Sequence, residues 1–317
     1  MTSPRSERGQ AFVLTVVMLT VLLGMTALVL DVGSWFRAKR QLQGTADASA
    51  LAGAQALPAD PGTAQSWALD YANKNGGGVL GNDVTISSTY LANDTIKVTA
   101  RKNSPGFFSS IFGIDTVAEQ ASAKARTGIP AAARYVAPIA VNSLNPQLQC
   151  SPPPCAGPAD ISLINLHDPG SGNAAGAWAL LDLIQGDNGS VGDSTMADWM
   201  ANGYNDLMPL GNYDSVPSVM YNGNAFRSAL RNQAGSGHII LFPVYDGSRP
   251  IPVQGGGSTG RFDIIGWVGF RIDSVDAGGN SGVLHGEFVE YLGHGLLPAS
   301  GGNGSTNFGY RVVQLIE

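Results

Sequence analysis

The run AFVLTVVMLTVLLGMTALVL, from Ala11 to Leu30, contains no ionisable residue and decides the fold class of the N-terminal part of the chain. A helix of about 20 residues spans roughly 30 Å, which is the thickness of the hydrocarbon core of a bilayer. A buried core helix, the alternative, is usually shorter and carries a polar stripe. The run therefore predicts a transmembrane helix.

The flanks of this run favour an uncleaved anchor over a cleaved signal peptide. A secretory apolar region is about 7–15 residues long and ends close to small residues. Here the run continues into Asp31-Val32-Gly33, and Ala-x-Ala triplets occur only between Ala46 and Ala54. We therefore expect the helix to remain part of the mature chain.

The composition favours an exported β-rich protein. Only 13% of the 317 residues are charged, whereas 42 are glycine. Such a surface lacks the basic face that nucleic-acid binding needs, so no nucleic-acid partner is expected. Arg37, Lys39 and Arg40 follow the apolar run, where they are expected to meet anionic lipid head groups.

Cys150 and Cys155 enclose the segment Ser-Pro-Pro-Pro. Two thiols cannot complete a tetrahedral zinc site, so a local disulfide is predicted, with two unpaired core cysteines as the alternative. Basic residues lie on both sides of the apolar run and leave its orientation ambiguous. The predicted disulfide and the low charge of the C-terminal part favour an N-terminus inside the cell and a C-terminal domain outside.

Good helix formers continue beyond the apolar run, so one helix is expected from about Gln10 to Leu57. Its distal half has a face of small residues that would let another backbone come close. This face comprises Ala46, Ala50, Gly53 and Ala54. It is predicted to contact either a helix of a partner protein or the next domain of the same chain.

A helix and a small antiparallel sheet are expected next. Asp60-Pro61 is typical of a helix start, and three glycines at Gly76 to Gly78 are typical of its end. The predicted strands and short helix after it are Val84–Tyr90, Thr95–Ala100 beyond an Asn93-Asp94 turn, a helix at Phe107–Phe112, and Thr116–Arg126.

After a linker at Thr127–Ala133 the chain is predicted to be β-rich. The main expected elements are strands at His238–Tyr245, Phe262–Ile272, Val283–Tyr291 and Tyr310–Ile316, and helices at Met196–Ala201 (capped by Ser194) and Asn224–Asn232. Asp263, Trp267 and Arg271 are placed on the second face of the Phe262–Ile272 strand. The predicted fold is α+β: a long transmembrane helix (domain 1–57), a small helix-plus-antiparallel-sheet region (58–128), and a β-rich barrel or sandwich with short helices (129–317).

Three sequence patterns could form a metal-binding or catalytic site. His285, Glu287 and His294 could seat a metal, Asp187–Asp193 could hold calcium, and Gly279–Gly282 approaches a serine-hydrolase elbow. The alternatives are solvent-facing or hydrogen-bonded side chains, a loop without metal and a hairpin turn, and these are favoured. We therefore expect a protein that is not an enzyme and needs no cofactor or metal.

Asp31 is the ionisable residue at the end of the apolar run. Its carboxylate is predicted either to contact a basic group, such as Arg37 or a partner subunit, or to be hydrated at the level of the lipid head groups.

The first part of the chain resembles the TadE/TadG-like proteins of Tad (Flp) pilus assembly. The residues that carry the resemblance are Glu7–Gln10, the apolar run, Asp31–Gly33, Arg37–Gln43 and Ala46–Ala54. The resemblance implies a single-pass, pilin-like protein of a bacterial cell membrane whose partners are the lipid bilayer, pilin-like proteins and pilus assembly proteins.

One position departs from the pattern of the processed pilins in such systems. They carry a glutamate five residues after the cleavage point, and with Gly9 as that point the position is Leu14. The resemblance is therefore nearest to the unprocessed TadG-like members, and implies assistance in assembling or anchoring an adhesive pilus. The alternatives are a minor pilin at the fibre tip, or a membrane-tethered extracellular hydrolase or calcium-dependent adhesin.

Overall fold

The computed structural model describes residues 6–163, 180–185, 191–216, 223–249, 253–254, 259–278, 281–293 and 306–316. These residues form an α+β protein: a long apolar N-terminal helix precedes a β-rich, barrel-like sheet with short helices, as predicted. The chain divides into two compact units. The first contains the described residues up to Arg126 together with Leu315 and Ile316, and the second runs from Thr127 to Gln314.

Helix α1 covers Ser6–Ala54 and has 49 residues. Among the described residues, α1 is the one helix long and apolar enough to cross a membrane. Every residue from Ala11 to Leu30 is exposed except Ala27, which is half-buried. An apolar surface on all sides of a helix is typical of a segment surrounded by other apolar material.

The distal half of α1 has one buried face. Leu42, Ala46, Ala50 and Ala54 recur every fourth residue and are all buried, because helix α2 (Pro61–Lys74) and strand β2 (Thr95–Pro105) pack against this side. The small side chains allow the close approach of the two helices.

Local signals determine both ends of α2. The Asp60 carboxylate accepts a hydrogen bond from the backbone N–H of Thr63 at 2.9 Å, and Pro61 occupies the first turn. After Lys74 the chain passes through Gly76 to Gly78, all with positive φ, where a side chain would be strained. The predicted start and end of this helix are therefore confirmed.

The sheet of the first unit contains strands β1 (Val84–Ser87), β2 (Thr95–Pro105) and β3 (Thr116–Gly128), paired antiparallel in that order. Strand β1 is shorter than predicted because the buried Asp94 carboxylate accepts hydrogen bonds from the backbone of 89–91 and holds them in a turn. Between β2 and β3 lies one 3₁₀ turn, Ser109–Phe112.

The second unit contains eleven strands of different lengths in the part of the chain that the structure describes. They are β4 (Ala132–Ala133), β5 (Val141–Asn142), β6 (Pro158–Ser162), β7 (Met208–Pro209), β8 (Gly211–Asp214), β9 (Ile239–Tyr245), β10 (Val253–Gln254), β11 (Thr259–Gly278), β12 (Ser281–Val289), β13 (Tyr291–Gly293) and β14 (Tyr310–Leu315). The main sheet has the order β5-β9-β11-β12-β6, with β8 and β10 also paired to β11. Strand β4 pairs with β7, and β13 is parallel to β14.

The two edges of the main sheet nearly meet. The side-chain amides of Asn145 and Gln147, just after β5, donate hydrogen bonds to the carbonyls of Asp160 and Pro158 on β6, at 3.1 and 3.3 Å. These bonds bridge the two edges and cover part of what would be an open edge.

Both faces of β11 are covered at its centre. Phe262 and Phe270 lie in the core, and Trp267 on the opposite face is also fully buried. Its ring packs edge-on against Tyr310 with the ring centroids 6.1 Å apart. Alternation alone does not reveal that a second layer covers this face, which is why the sequence gives no sign of it.

Helices α3 (Asp193–Asn202) and α4 (Asn224–Gln233) pack against each other. The predicted cap at Ser194 is wrong, because Ser194 lies inside α3 and the helix begins after Gly192. The neighbouring Asp193 carboxylate instead accepts hydrogen bonds from the backbone of Ala225 and Phe226, both at 3.0 Å, at the start of α4.

Candidate functional site at the end of the apolar run

Asp31 follows the apolar run directly and is fully buried. Its carboxylate accepts three backbone hydrogen bonds, from Phe107 at 3.2 Å, Phe108 at 2.9 Å and Ser109 at 2.6 Å. Charge-assisted bonds to consecutive N–H groups are the pattern of a carboxylate that caps the start of a helical turn. Asp31 therefore fastens the β2–β3 connection to the end of the apolar segment of α1.

The residues from Gly106 to Asp115 form the connection itself, which we call the tip loop. Its ends are joined by a hydrogen bond from the Gly106 N–H to the Asp115 carbonyl at 2.9 Å. Inside it, the hydroxyls of Ser109 and Ser110 donate to the carbonyls of Ile114 and Phe107, at 3.1 and 2.9 Å. The tip loop is thus a preformed structure held by its own polar groups.

The tip loop exposes large apolar side chains. Phe112 is 83% exposed, Ile111 79% and Phe107 67%, and Phe108 and Ile114 are also exposed. An exposed apolar patch of this kind usually marks a surface that contacts another apolar body. The sequence contained a signal for it, since five large apolar residues lie in a hairpin connection where polar residues are usual.

Aromatic residues of α1 flank the same position. The Trp35 indole N–H donates a hydrogen bond to the Pro105 carbonyl at 3.3 Å, which ties the end of β2 to the helix. The adjacent Phe36 is exposed. An amphipathic indole ring such as that of Trp35, at the end of an apolar segment, is typical of a membrane–water interface.

The contacts of Asp31 correct the prediction made for it. The carboxylate binds backbone N–H groups of the same chain, whereas the prediction is contact with a basic group, such as Arg37 or a partner subunit, or hydration at the level of the lipid head groups. The partner lies 76 to 78 residues further along the chain, so no local pattern indicates it.

The small-residue face also requires a correction. Ala46, Ala50 and Ala54 are fully buried within the first unit, and a Cβ at Gly53 would lie 2.8 Å from the Ala64 carbonyl oxygen and 3.2 Å from the Ala68 Cβ. Contact with a partner helix is therefore wrong for this face. The alternative, packing against the next part of the same chain, describes it.

Arg37, Lys39 and Arg40 are exposed on α1 just beyond Asp31. Their position is compatible with the predicted contact with lipid head groups, which stays a prediction. Their distance along the helix from Leu30 is about 10–15 Å at a rise of 1.5 Å per residue.

Cys150 and Cys155 form a disulfide, as predicted. The Cys155 backbone N–H also donates to the Gln147 carbonyl at 2.8 Å. The bridge therefore closes the proline-containing loop next to the residues that connect β5 to β6.

His285 and Glu287, two of the residues that could seat a metal, pair with other side chains, which is the alternative that the sequence favours. The His285 ring nitrogen lies 2.7 Å from the Asp160 carboxylate, and the Arg271 guanidinium lies 2.8 Å from Glu287. The hydrogen bond to Asp160, with a smaller contribution from Asp276, raises the pKa of His285. Among the described residues no cluster of three potential metal ligands is present, and His294 lies outside them.

The other two candidate sites fall mainly outside the described residues. Of Asp187–Asp193, residues 187–190 are not among them, and the Asp193 carboxylate caps α4. Of Gly279–Gly282, residues 279 and 280 are outside, and the flanking Gly278 and Ser281 are paired as the ends of an antiparallel hairpin.

In the first unit a long helix, exposed and apolar in its first half, packs its second half against α2 and β2 of the small antiparallel sheet. Residues 9–56 match the family model described as "Putative Flp pilus-assembly TadE/G-like". This part of the chain is therefore similar to the TadE/G-like family, and the resemblance seen in the sequence is confirmed over these residues. Comparisons with curated proteins and with solved structures return no match.

Proposed function

We propose that the chain is a non-enzymatic, single-pass protein of a bacterial cell membrane that assists the assembly or anchoring of a Tad/Flp-type adhesive pilus. The match of residues 9–56 to TadE/G-like pilus-assembly proteins carries this proposal. The matched residues coincide with α1, Ser6–Ala54. The part of the chain with the family signature is thus also the part suited to join a membrane to a folded unit.

The polar groups of the apolar segment support membrane anchoring. The hydroxyls of Thr15, Thr20 and Thr26 donate to backbone carbonyls four residues earlier, at 2.9, 2.8 and 2.9 Å. In a bilayer each hydroxyl needs a partner within the protein, because water is not available. The exposed segment from Ala11 to Leu30 therefore satisfies its side-chain polar groups internally.

The orientation that we propose places the N-terminus inside the cell and the rest of the chain outside. The Cys150–Cys155 disulfide supports it, because such bonds persist in oxidising compartments and are rare in the cytosol. The partners would be the lipid bilayer, pilin-like proteins and other pilus assembly proteins. The surface that would contact these proteins lies outside the small-residue face, which is already covered.

An unprocessed N-terminus and a non-catalytic role complete the proposal. Leu14 stands where processed pilins would carry a glutamate, which favours an assembly partner over a fibre subunit. The pairing of His285 with Asp160 and of Glu287 with Arg271 supports a structural role for these two residues.

Gene deletion and complementation test this function. We expect deletion to reduce surface pili strongly while the major pilin is still made, and the full chain to restore them. As a matched control, a chain whose residues 11–30 are replaced by a cleavable signal peptide should be exported without an anchor and should fail to restore pili. Normal piliation in the deletion strain would overturn the proposal.

A further inference from the structure

We propose that the tip loop is a second membrane contact, which inserts its apolar side chains into the head-group boundary of the outer leaflet beside α1. The inference rests on the proposed function, because it requires the segment Ala11–Leu30 to span the bilayer. Its occupant is the lipid surface, and the argument has three steps: the depth of the loop, its chemistry and its surroundings.

The depth of the tip loop follows from Asp31. The carboxylate lies one residue beyond Leu30 and contacts the loop backbone at Phe107 to Ser109, at 2.6 to 3.2 Å. One residue corresponds to about 1.5 Å along a helix. The backbone of the loop therefore lies level with the end of the apolar segment, where acyl chains meet head groups.

The chemistry of the tip loop fits an environment that is poor in water. From Gly106 to Ile114 its sequence is GFFSSIFGI, which contains no ionisable residue. The Asp31 carboxylate satisfies three of its N–H groups, and both serine hydroxyls bond to carbonyls inside the loop. Burying an unsatisfied polar group in lipid costs several kcal/mol, so this internal bonding is what insertion requires.

The surroundings of the tip loop favour lipid over a protein partner. The side chains of Phe107, Ile111 and Phe112 are exposed on a loop that Asp31 holds level with the end of the apolar segment of α1. We therefore place them at the same depth as the end of the proposed lipid-exposed surface. Trp35 flanks it, and the exposed basic residues at 37, 39 and 40 follow within three turns of the helix. Aromatic and basic residues in this order are typical of the interface of an anionic membrane.

A fluorescence-quenching experiment on the full chain in phosphatidylcholine–phosphatidylglycerol vesicles tests the inference. Single cysteines introduced by Phe112→Cys or Ile111→Cys are labelled with an environment-sensitive dye, while Cys150 and Cys155 remain paired. Ala92→Cys is the matched control, because it lies in the exposed connection at the other end of β2. Leu22→Cys reports on the apolar segment itself.

We expect lipid carrying a nitroxide near its head group to quench the dye at 111 and 112 several-fold more than the dye at 92. The dye at 22 should be quenched best by a nitroxide near the end of the acyl chain. If the nitroxide lipid quenches the dye at 22 while iodide in the water quenches the dyes at 111 and 112, water covers the tip loop. This result would overturn the inference.

Two further outcomes are also decisive. If the nitroxide lipid quenches the dye at 22 but neither nitroxide nor iodide quenches the dyes at 111 and 112, a protein or a second copy of the chain covers the tip loop. The inference then fails, while the proposed membrane anchor is retained. If neither nitroxide lipid quenches the dye at 22, the proposed membrane anchor is wrong, and the inference is wrong with it.

Discussion

The Asp31 carboxylate and the Ser109 backbone N–H are 2.6 Å apart, although 78 positions separate the two residues in the chain. This bond joins the end of the apolar segment to the connection between two strands of the first unit. The helix and the sheet are therefore fastened together at the point where the proposed membrane span ends, so the orientation of the span and of the folded unit are coupled.

Replacing Asp31 by asparagine should loosen the tip loop. The amide has one acceptor oxygen and a donor group in place of a carboxylate that only accepts, so the three N–H groups at 107–109 cannot all be satisfied. We expect hydrogen exchange of these amides to accelerate. Asp70→Asn, at an exposed carboxylate of α2, is the matched control and should leave them unchanged; equal exchange in Asp31→Asn and the native chain would contradict the capping role.

Two glycines of α1 should respond to alanine in opposite directions. A Cβ at Gly53 would approach the Ala64 carbonyl oxygen to 2.8 Å, whereas nothing lies within 4 Å of one at Gly44. Overpacking should make Gly53→Ala less stable by about 1–3 kcal/mol. The gain in helix propensity should make Gly44→Ala more stable by up to about 1 kcal/mol. Urea unfolding of the detergent-solubilised chain measures both, and equal effects would refute the packing of α1 on α2.

The Cys150–Cys155 disulfide should stabilise the second unit and indicates which side of the membrane this unit occupies. Replacing Cys150 and Cys155 by serine should destabilise the second unit by about 2 kcal/mol, since closing a short loop restricts the unfolded chain. In intact cells both thiols should resist a maleimide reagent until a reductant is added. Thiols that react without reduction would place this region in a reducing compartment and contradict the proposed orientation.

The His285–Asp160 pair should make the second unit sensitive to pH. Asp160 and Asp276 raise the pKa of His285 above its ordinary value of 6.5 in the folded chain. The stabilisation is therefore complete below about pH 6.5 and is lost as pH rises through the folded pKa. An NMR titration of the ring should show a raised pKa that returns towards the ordinary value in Asp160→Asn, with His285→Gln removing this part of the pH dependence. An unchanged pKa in Asp160→Asn would show that the contact does not form.

Local patterns were sufficient to predict many elements of the fold. The charge-free run, the Asp60-Pro61 start of α2 and the glycines after Lys74 each act on neighbouring residues, and the structure confirms the elements that they predict. The predicted strands of the first sheet are confirmed for the same reason, with changes in length at their ends.

Contacts between distant segments were not predictable from the sequence in the same way. Asp31 and Asp193 each cap a helical turn that lies far along the chain, and a carboxylate gives no sign of which distant N–H groups it will meet. The small face at Ala50 and Gly53 was compatible with a partner or with the chain itself. A leucine at Gly53 would collide with Ala64 and Ala68 of α2 and with Ile96 of β2.

The central claim, a membrane-anchored assembly partner that is not a fibre subunit, is tested most directly by separating sheared pili from membranes and locating the chain. We predict that the chain remains in the membrane fraction and that mass analysis of its N-terminal peptide shows residues preceding Gln10 still attached. Recovery of the chain in the sheared fibres with an N-terminus at Gln10 would contradict the claim and establish a processed pilin.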